Sequence, residues 1–463
     1  MAHRFPRYVV FGPYLATAVL VLGTLLSDTP LTRPRESGGC AFLGGGQGVG
    51  GISIGTDGIL KNSVAGEAAD LKLLRNQAQR AMVGDLAKPS PLRKISLRRL
   101  AAAIAAAQAG GQSISDEMRL LAGLQRIQYV FVYPEQHDIV LAGYGEGWKV
   151  DDRGNVVGNG NGRPVMLLDD LLVALRSARE AQRGGIICSI DPTTEGLKRL
   201  REFVSTLSTI GDPQTTISTI EQTLGKQVVS IHGVPPTSHF ARILVAADYR
   251  MKRLGMGFDR APILGLPSYL QMVQPGPRGM QNMMPRWWLV PDYDPLLTDG
   301  QGLVWELPGG RVKAMTEETF LGEGGARPNT GKVSSMAQRW ADNMTAKYSE
   351  LSAKEPIFGQ LRNCMDLAVA AALIVKENLA FKTGCDLGVL LNAKQLPSEE
   401  LFAPKRIDTQ ASFVKKGNNW VISASGGVQI QPWSVLTKSE KNDRVVSARG
   451  SGEPGDLKHW WWD

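Results

Sequence analysis

Apolar residues recur along the chain at two spacings, which predict strands alternating with helices. The run Tyr129–Tyr133 is the strongest predicted strand, and Ile186–Ile190 and Val228–Ile231 have the same short, β-branched character. Apolar residues at steps of three and four predict helices over Leu167–Ala181 and from Ser238 to about Leu254. Because strands and helices alternate here, we expect a mixed α/β core.

Around this core the chain divides into segments of different character. In chain order the predicted segments are a signal peptide or membrane anchor at 1–27, a Gly/Pro linker at 28–51, a hairpin with basic helices at 52–111, the α/β core at 112–260, a loop-rich section with a helical pair at 261–385, and a small β-rich unit at 386–463. The expected fold class is therefore α+β or mixed α/β. In the last unit, Gly426-Gly427 is expected to form the turn of a hairpin.

Residues 1–27 have the pattern of an export signal. Arg4 and Arg7 precede the apolar stretch Val9–Leu26, whose compact core is Leu15–Leu26. Such a core fits a cleaved signal peptide, and the whole stretch is also long enough to span a bilayer as an uncleaved anchor. No other stretch is predicted to span a membrane. We therefore expect an exported protein, in a periplasm-like space or anchored in the cell envelope.

Basic residues are concentrated in one segment. The 463 residues carry 52 Lys and Arg against 44 Asp and Glu, and residues 71–100 alone hold eight basic residues and one acidic residue. This segment is expected to contact a membrane surface, an anionic envelope polymer or a protein partner, or else to form exposed helix faces. Export and the absence of aromatic residues from the segment argue against nucleic acid as the partner.

The spacing of reactive residues predicts no metal site and no cofactor. The five histidines form no closely spaced pair and the four cysteines no CxxC motif, whereas zinc sites need such pairs. The glycine-rich stretch 44–50 follows no predicted strand and lacks the Lys-Ser/Thr of a phosphate-binding loop. The chain also has no GxSxG nucleophile elbow.

Cys364 has three possible roles. Its apolar neighbours in a predicted helix favour a small core residue. Pairing with His239 as thiolate and base would instead make it a nucleophile. In an exported protein, a disulfide from Cys364 to Cys188 or to Cys385 is the third alternative, and the sequence leaves the pairing open.

The helix that begins near Ser238 carries the best candidate site. Residues at three- and four-residue steps form a polar, cationic stripe: His239, Arg242, Ala246, Tyr249 or Arg250, and Arg253. His239 is the candidate acid or base, and Arg242 and Arg250 are candidate ligands for an anionic group. The alternative is a solvated helix face with ion pairs to neighbouring acids. Asp248 and Lys252 are predicted to form an ion pair across one turn.

A second candidate site lies in the loop-rich section. Arg286, Trp287, Trp288 and Asp292 combine aromatic rings with charge in a segment that is predicted to be a long loop. Adjacent tryptophans beside an arginine suit a sugar- or peptide-binding surface. The same rings could equally fill the core beneath the loop, and both interpretations stay open.

Four segments together resemble a family of domains of unknown function, number fifteen ninety-eight. They are Leu124–Leu141, Thr237–Leu254, Met283–Leu289 and Asn363–Leu373, and they are rich in Trp, His, Met and Tyr. The likeness extends over most of residues 50–385. The family is found largely in planctomycete bacteria and its members commonly look exported. The resemblance therefore implies an exported protein, and it supplies no activity and no mechanism.

Two hypotheses for the function follow. The first is a non-enzymatic binding or scaffolding protein of the bacterial cell envelope. The second is a hydrolase or transferase that acts on an anionic envelope substrate, with His239 as acid or base and Arg242, Arg250 and Arg286 as anion ligands. Geometry separates them, because the enzyme requires these residues and an acid such as Asp292 to converge in one pocket.

Overall fold

The computed structural model describes residues 48–49, 52–54, 60–62, 84–206, 212–273, 285–316, 335–411 and 424–453. All of them belong to one compact unit, residues 41–463. The predicted export signal at 1–27 lies outside the described residues, as do nearly all of the linker, residues 71–83 of the basic segment and the terminal Trp460–Trp462.

Seventeen strands are found in the described residues. They are β1 Gly48–Val49, β2 Ile52–Ile54, β3 Leu60–Asn62, β4 Ser90–Ser96, β5 Tyr129–Tyr133, β6 Asp138–Gly145, β7 Trp148–Val150, β8 Val156–Gly158, β9 Ile186–Asp191, β10 Gln227–His232, β11 Arg286–Asp292, β12 Leu296–Thr298, β13 Val304–Glu306, β14 Arg311–Thr316, β15 Arg406–Ile407, β16 Ser425–Ile430 and β17 Ser439–Lys441.

Fourteen α-helices accompany them in the same residues. They are α1 Leu97–Ala109, α2 Asp116–Arg119, α3 Leu168–Ser177, α4 Ala181–Gly184, α5 Thr194–Thr206, α6 Pro213–Leu224, α7 His239–Gly255, α8 Tyr269–Met272, α9 Ser335–Lys354, α10 Pro356–Lys376, α11 Leu379–Thr383, α12 Gly388–Leu391, α13 Pro432–Val435 and α14 Arg444–Gly452. The predicted mixed α+β fold class is confirmed.

Two six-stranded mixed sheets form the framework. The first has the order β4-β6-β5-β13-β12-β17, and the second has the order β15-β10-β9-β16-β11-β14. Each contains one parallel pair, β12 with β17 and β11 with β16. The remaining strands form the antiparallel sheet β1-β2-β3 and the hairpin β7–β8. Strands from residues 386–463 thus pair with strands of earlier segments in both sheets. Each sheet therefore combines strands from several of the predicted segments.

Gly426 and Gly427 lie inside β16, which corrects the predicted hairpin turn. The strand runs between β9 and β11 in the middle of the second sheet. A Cβ atom on Gly427 would lie 1.9 Å from the carbonyl oxygen of Cys188, and one on Gly426 would lie 1.8 Å from that of Trp287. The two glycines therefore allow neighbouring backbones to approach each other.

The helices α7 and α10 occupy the centre of the core. α7 contacts β9 and β16, and α10 packs against α3, α7, α9 and α13. Among the described residues α10 is the helix that is long and apolar enough to cross a membrane, which corrects the expectation that only the N-terminal stretch has this composition. Nearly all of it is buried in the fold, as is usual for the core helix of a globular protein.

Candidate functional site

The polar stripe on α7 faces the interior of the protein. The helix begins at Ser238, whose Oγ accepts a hydrogen bond from the N–H of Ala241 at 3.1 Å, as expected of an N-cap. The apolar stripe of Ile243, Ala247, Met251 and Leu254 is buried as predicted. The polar stripe is buried or half-buried as well. It therefore forms neither an exposed cationic surface nor a solvated helix face.

His239 is bound to a carboxylate at the start of α3. Its Nδ1 lies 3.0 and 3.1 Å from the two carboxylate oxygens of Asp170. Burial by itself would lower the pKa of His239, but the carboxylates of Asp170 and Asp169 outweigh burial and raise this pKa above its ordinary value of 6.5. Burial and the charge of Asp170 raise the pKa of Asp169 to about 6. The two carboxylates thus favour the protonated form of the imidazole.

Cys364 lies near this pair but is not activated by it. The side chain is 1% exposed, and the hydrogen bonds of the His239 ring within the described residues run to Asp170. Burial raises the pKa of the Cys364 thiol well above its ordinary value, and the charge of Asp170 adds to this effect. A thiol in this environment is a core residue and not a nucleophile. Cys188, Cys364 and Cys385 are all free, so neither predicted disulfide is formed.

Arg242 lies one turn after His239 and is 5% exposed. Burial lowers the pKa of its guanidinium, and the carboxylate of Glu399 acts in the opposite direction. Arg242 is therefore close to His239, as the sequence spacing predicted, but it belongs to the buried surface of the helix.

Arg250 and Arg253, at the other end of α7, share the carboxylate of Asp259. Arg253 donates to it from Nε at 2.7 Å and from Nη2 at 3.0 Å, and Arg250 donates from Nη1. Nη2 of Arg250 also donates to Glu355 Oε1 at 2.6 Å, just before α10. Although burial acts in the opposite direction, Arg253 and Arg250 hold the pKa of Asp259 below its usual value. These arginines therefore connect the C-terminal end of α7 to Asp259 and Glu355.

The predicted Asp248–Lys252 pair is present and is buried. Nζ of Lys252 lies 2.8 Å from Asp248 Oδ2 and also donates to the carbonyl oxygens of Ile190 at 2.9 Å and Gly426 at 3.2 Å. Burial raises the pKa of Asp248 to about 7, and Lys252 opposes this shift. The pair connects α7 to β9 and β16, so its role is structural.

Arg286, Trp287, Trp288 and Asp292 lie on strand β11, which corrects the predicted long loop. The ring of Trp287 is fully buried, with its centroid 5.3 Å from that of Tyr269 and 4.2 Å from that of Trp340. The guanidinium of Arg286 lies 5.2 Å from the ring centroid of Trp288, and its Nη2 is 3.4 Å from Asp191 Oδ2. The two tryptophans therefore fill the core instead of forming an open shelf.

The predicted site residues do not converge in one pocket. His239 and Arg250 are eleven positions apart on one helix, which places them roughly 16 Å apart along its axis. Asp292 lies at the end of β11, where its Oδ2 is 3.5 Å from Nε of Arg311. Arg286 is paired with Asp191 on β9. Each of these candidates thus forms an ion pair at a different place in the fold.

A small, open cleft lies beside the second half of α7. Its lining includes Tyr249, Lys252, Arg253, Phe258, Gln227 and Asp408. Lys252 and Arg253 are bonded to other groups of the protein, as described above, and His239 is not part of the lining. Among the described residues, no group of three or more His, Cys, Asp and Glu is arranged to hold a metal ion.

One part of this region matches a family model in the comparisons with known proteins. Residues 188–269 match the family model DUF1598, a protein of unknown function. The match covers most of β9 and continues into α8, and it includes the whole of α7. Of the four segments that suggested the resemblance, Thr237–Leu254 lies within it and the other three lie outside it. No curated protein and no solved structure matches the chain.

Asp366 of α10 forms a polar centre that the sequence analysis did not single out. Its Oδ2 accepts from Nε of Arg126 at 2.6 Å and from the N–H of Ile127 at 3.3 Å, and its Oδ1 accepts from the hydroxyl of Tyr293. Burial and the charge of Asp366 raise the pKa of Tyr293 well above its ordinary value. Arg362 and Asp366 are the charged residues that interrupt the apolar run of α10 before Lys376, and this interruption is the signal that could have identified the centre.

Proposed function

We propose that the protein is an exported, non-enzymatic binding or scaffolding protein of the bacterial cell envelope. The N-terminal pattern of two arginines and a long apolar stretch supports export. Arg93 is fully buried on β4 and Lys88 is paired with Asp85, but the other basic residues of segment 71–100 support a partner with negative charge, such as an anionic envelope polymer, a membrane surface or an acidic face of a protein.

The distribution of the charged residues carries the non-enzymatic part of the proposal. His239 is bound to Asp170, Arg250 to Asp259 and Glu355, and Arg286 to Asp191. The atoms engaged in these ion pairs are not available to bind an anionic substrate at the same time. Their common effect is to connect helices and strands of one core, which suits a rigid protein that presents a surface.

A hydrolase or transferase with His239 as acid or base is the second candidate. The Asp170–His239 contact favours it, because a carboxylate bound to Nδ1 is also what orients a catalytic imidazole. Against it stand the burial of the Cys364 thiol and the separation of His239, Arg250 and Arg286 into different ion pairs.

Fractionation of cells that express the full chain tests the location. We expect the wild-type protein in the envelope fraction or the external space. The double variant Leu20→Arg, Leu22→Arg interrupts the apolar stretch, so we expect it to stay in the cytosol. Leu31→Arg makes the same change in the linker and is expected to leave export intact. Export that is unaffected by the first pair of substitutions, or cytosolic wild-type protein, would contradict the proposal.

An activity screen tests the absence of catalysis by His239. Wild type and His239→Gln are compared on phosphate-ester, carboxyl-ester and glycoside substrates. Equal background rates are expected for the two proteins. Turnover that depends on His239 would replace the first candidate by the second.

A further inference from the structure

Arg362 is a buried cation to which the described residues offer no bonded partner. It lies on α10, one turn before Asp366, and is 7% exposed. Its Nε is buried and has no hydrogen-bond partner, and no carboxylate in the described part of the chain forms an ion pair with it. Most of the other buried cations described above are satisfied, as Lys252 is by three oxygen atoms.

The nearby carboxylate of Asp366 is occupied by other groups. It accepts bonds from Arg126, Ile127 and Tyr293, and Arg126 already balances its charge. The guanidinium of Arg126 also lies close to the backbone of Gly310, since a Cβ atom on Gly310 would be only 1.9 Å from Nη2 of Arg126. Asp366 therefore does not neutralise a second arginine.

Two more arginines add positive charge at this position. Burial lowers the pKa of Arg362 to about 10; the charges of Arg126 and Arg163 act in the same direction, and Asp366 acts against them. Arg163 is exposed, next to Pro164, whose carbonyl oxygen accepts a bond from Asn363 at 3.0 Å. Arg126 and Arg163 are thus close enough to Arg362 to disfavour its charge, and Asp366 compensates for only part of this effect.

An unpaired ionised group is costly to bury, and an apolar side chain would avoid that cost. The planar guanidinium fork matches the oxygen atoms of phosphate and carboxylate groups and binds them through two parallel hydrogen bonds. We infer that Arg362 anchors a binding site for an oxyanion group, a phosphate or a carboxylate, with Arg163 at its entrance. The site goes beyond the proposed function and does not depend on the location of the protein.

Thermal unfolding of the full-length protein tests this site. Inorganic phosphate and acetate are titrated separately at constant ionic strength, with chloride as the replaced anion. The expected result is a saturable rise in Tm with at least one of them, because a ligand that binds only the folded state stabilises it. In Arg362→Met this rise is lost, and the Tm without added oxyanion is equal to or above that of the wild type.

A matched pair of exposed arginines provides the control. Arg163→Gln is expected to raise the apparent Kd several-fold, whereas Arg199→Gln removes the same charge from the exposed side of α5 and leaves Kd unchanged. This pair tests the site even if Arg362→Met does not fold.

Three results would overturn the inference. The first is a wild-type Tm that neither oxyanion changes, and the second is a rise that persists in Arg362→Met. The third is a loss of folding in Arg362→Met together with equal Kd values for Arg163→Gln and Arg199→Gln, which would assign Arg362 a purely internal role.

Discussion

Nδ1 of His239 lies 3.0 Å from Oδ2 of Asp170, and this contact joins the first turn of α7 to the first turn of α3. Both side chains are largely buried, at 13% and 8% exposure. Because the carboxylate stabilises the imidazolium, the pair is expected to strengthen the core while His239 is protonated. The contact therefore connects the two helices within the core.

Asp170→Asn is expected to destabilise the protein in a pH-dependent way. The folded pKa of His239 is raised, so the contribution of the pair is fully present below the unfolded value of 6.5 and is lost as pH rises through the folded value. The wild type should be more stable by about 1–3 kcal/mol below this unfolded value, and the difference should shrink at higher pH. Urea unfolding of both proteins over a pH series measures this difference in the free energy of unfolding.

Asp443→Asn, which changes an exposed carboxylate at the start of α14, is the control for Asp170→Asn. It is expected to show no comparable pH dependence. If Asp170→Asn instead costs the same free energy at mildly acidic and at alkaline pH, titration of His239 is not involved. The contact would then act only by packing and hydrogen bonding.

Lys252→Met is expected to lower the free energy of unfolding by about 3–5 kcal/mol, because it leaves Asp248 buried without a partner. Lys198→Met is the matched control: Lys198 and Glu202 have the same i,i+4 spacing but lie on the exposed face of α5, 4.0 Å apart. That change should cost no more than about 0.5 kcal/mol. Equal costs for the two variants in chemical denaturation would argue against a structural role for the buried pair.

Gly427→Ala is expected to destabilise the second sheet by at least about 2 kcal/mol. The new methyl group would meet the carbonyl oxygen of Cys188, and backbone atoms cannot move aside without separating β16 from β9. Gly450→Ala, within α14, places its methyl group where no atom lies within 4 Å. This control should stabilise the protein slightly, by about 0.5–1 kcal/mol. Similar Tm values for both variants would refute the close approach of the strands.

The three buried thiols are expected to react only after unfolding. Burial raises the pKa of Cys188 and of Cys364 well above the ordinary value and that of Cys385 to about 12. The protein is treated with an oxidant and then denatured without reductant. A thiol reagent should therefore modify three more thiols per chain in the denatured protein than in the folded protein. A gain of only one would indicate that a disulfide joins two of them.

Local sequence patterns predicted the helices of the core well. The predicted helix from Ser238 to about Leu254 agrees with α7, His239–Gly255, to within one residue. The strands β5, β9 and β10 also follow their apolar runs. In each of these elements the local signal and the tertiary environment agree, because one apolar face meets the core.

The sequence did not reveal the strands whose stability depends on distant partners. β11 contains Pro291 and adjacent tryptophans, and it becomes a strand because β14 and β16 pair with it on both sides. β4 follows Pro89 and includes Pro91, yet it pairs with β6 at the edge of the first sheet. Such pairings join residues far apart in the chain, and no local window contains them.

The candidate site was predicted only in part for a similar reason. Helical spacing placed His239 beside Arg242 and identified the Asp248–Lys252 pair. The partners Asp170, Asp259 and Glu355 come from other elements, so only the folded chain shows that the predicted cations are already paired.

An NMR titration of His239 in the full chain tests whether Asp170 stabilises the imidazolium. We expect a pKa above 6.5 in the wild type and a lower value in Asp170→Asn. A wild-type pKa at or below 6.5 that Asp170→Asn leaves unchanged would show that the contact does not stabilise the cation, and it would return His239 to the position of a candidate general base.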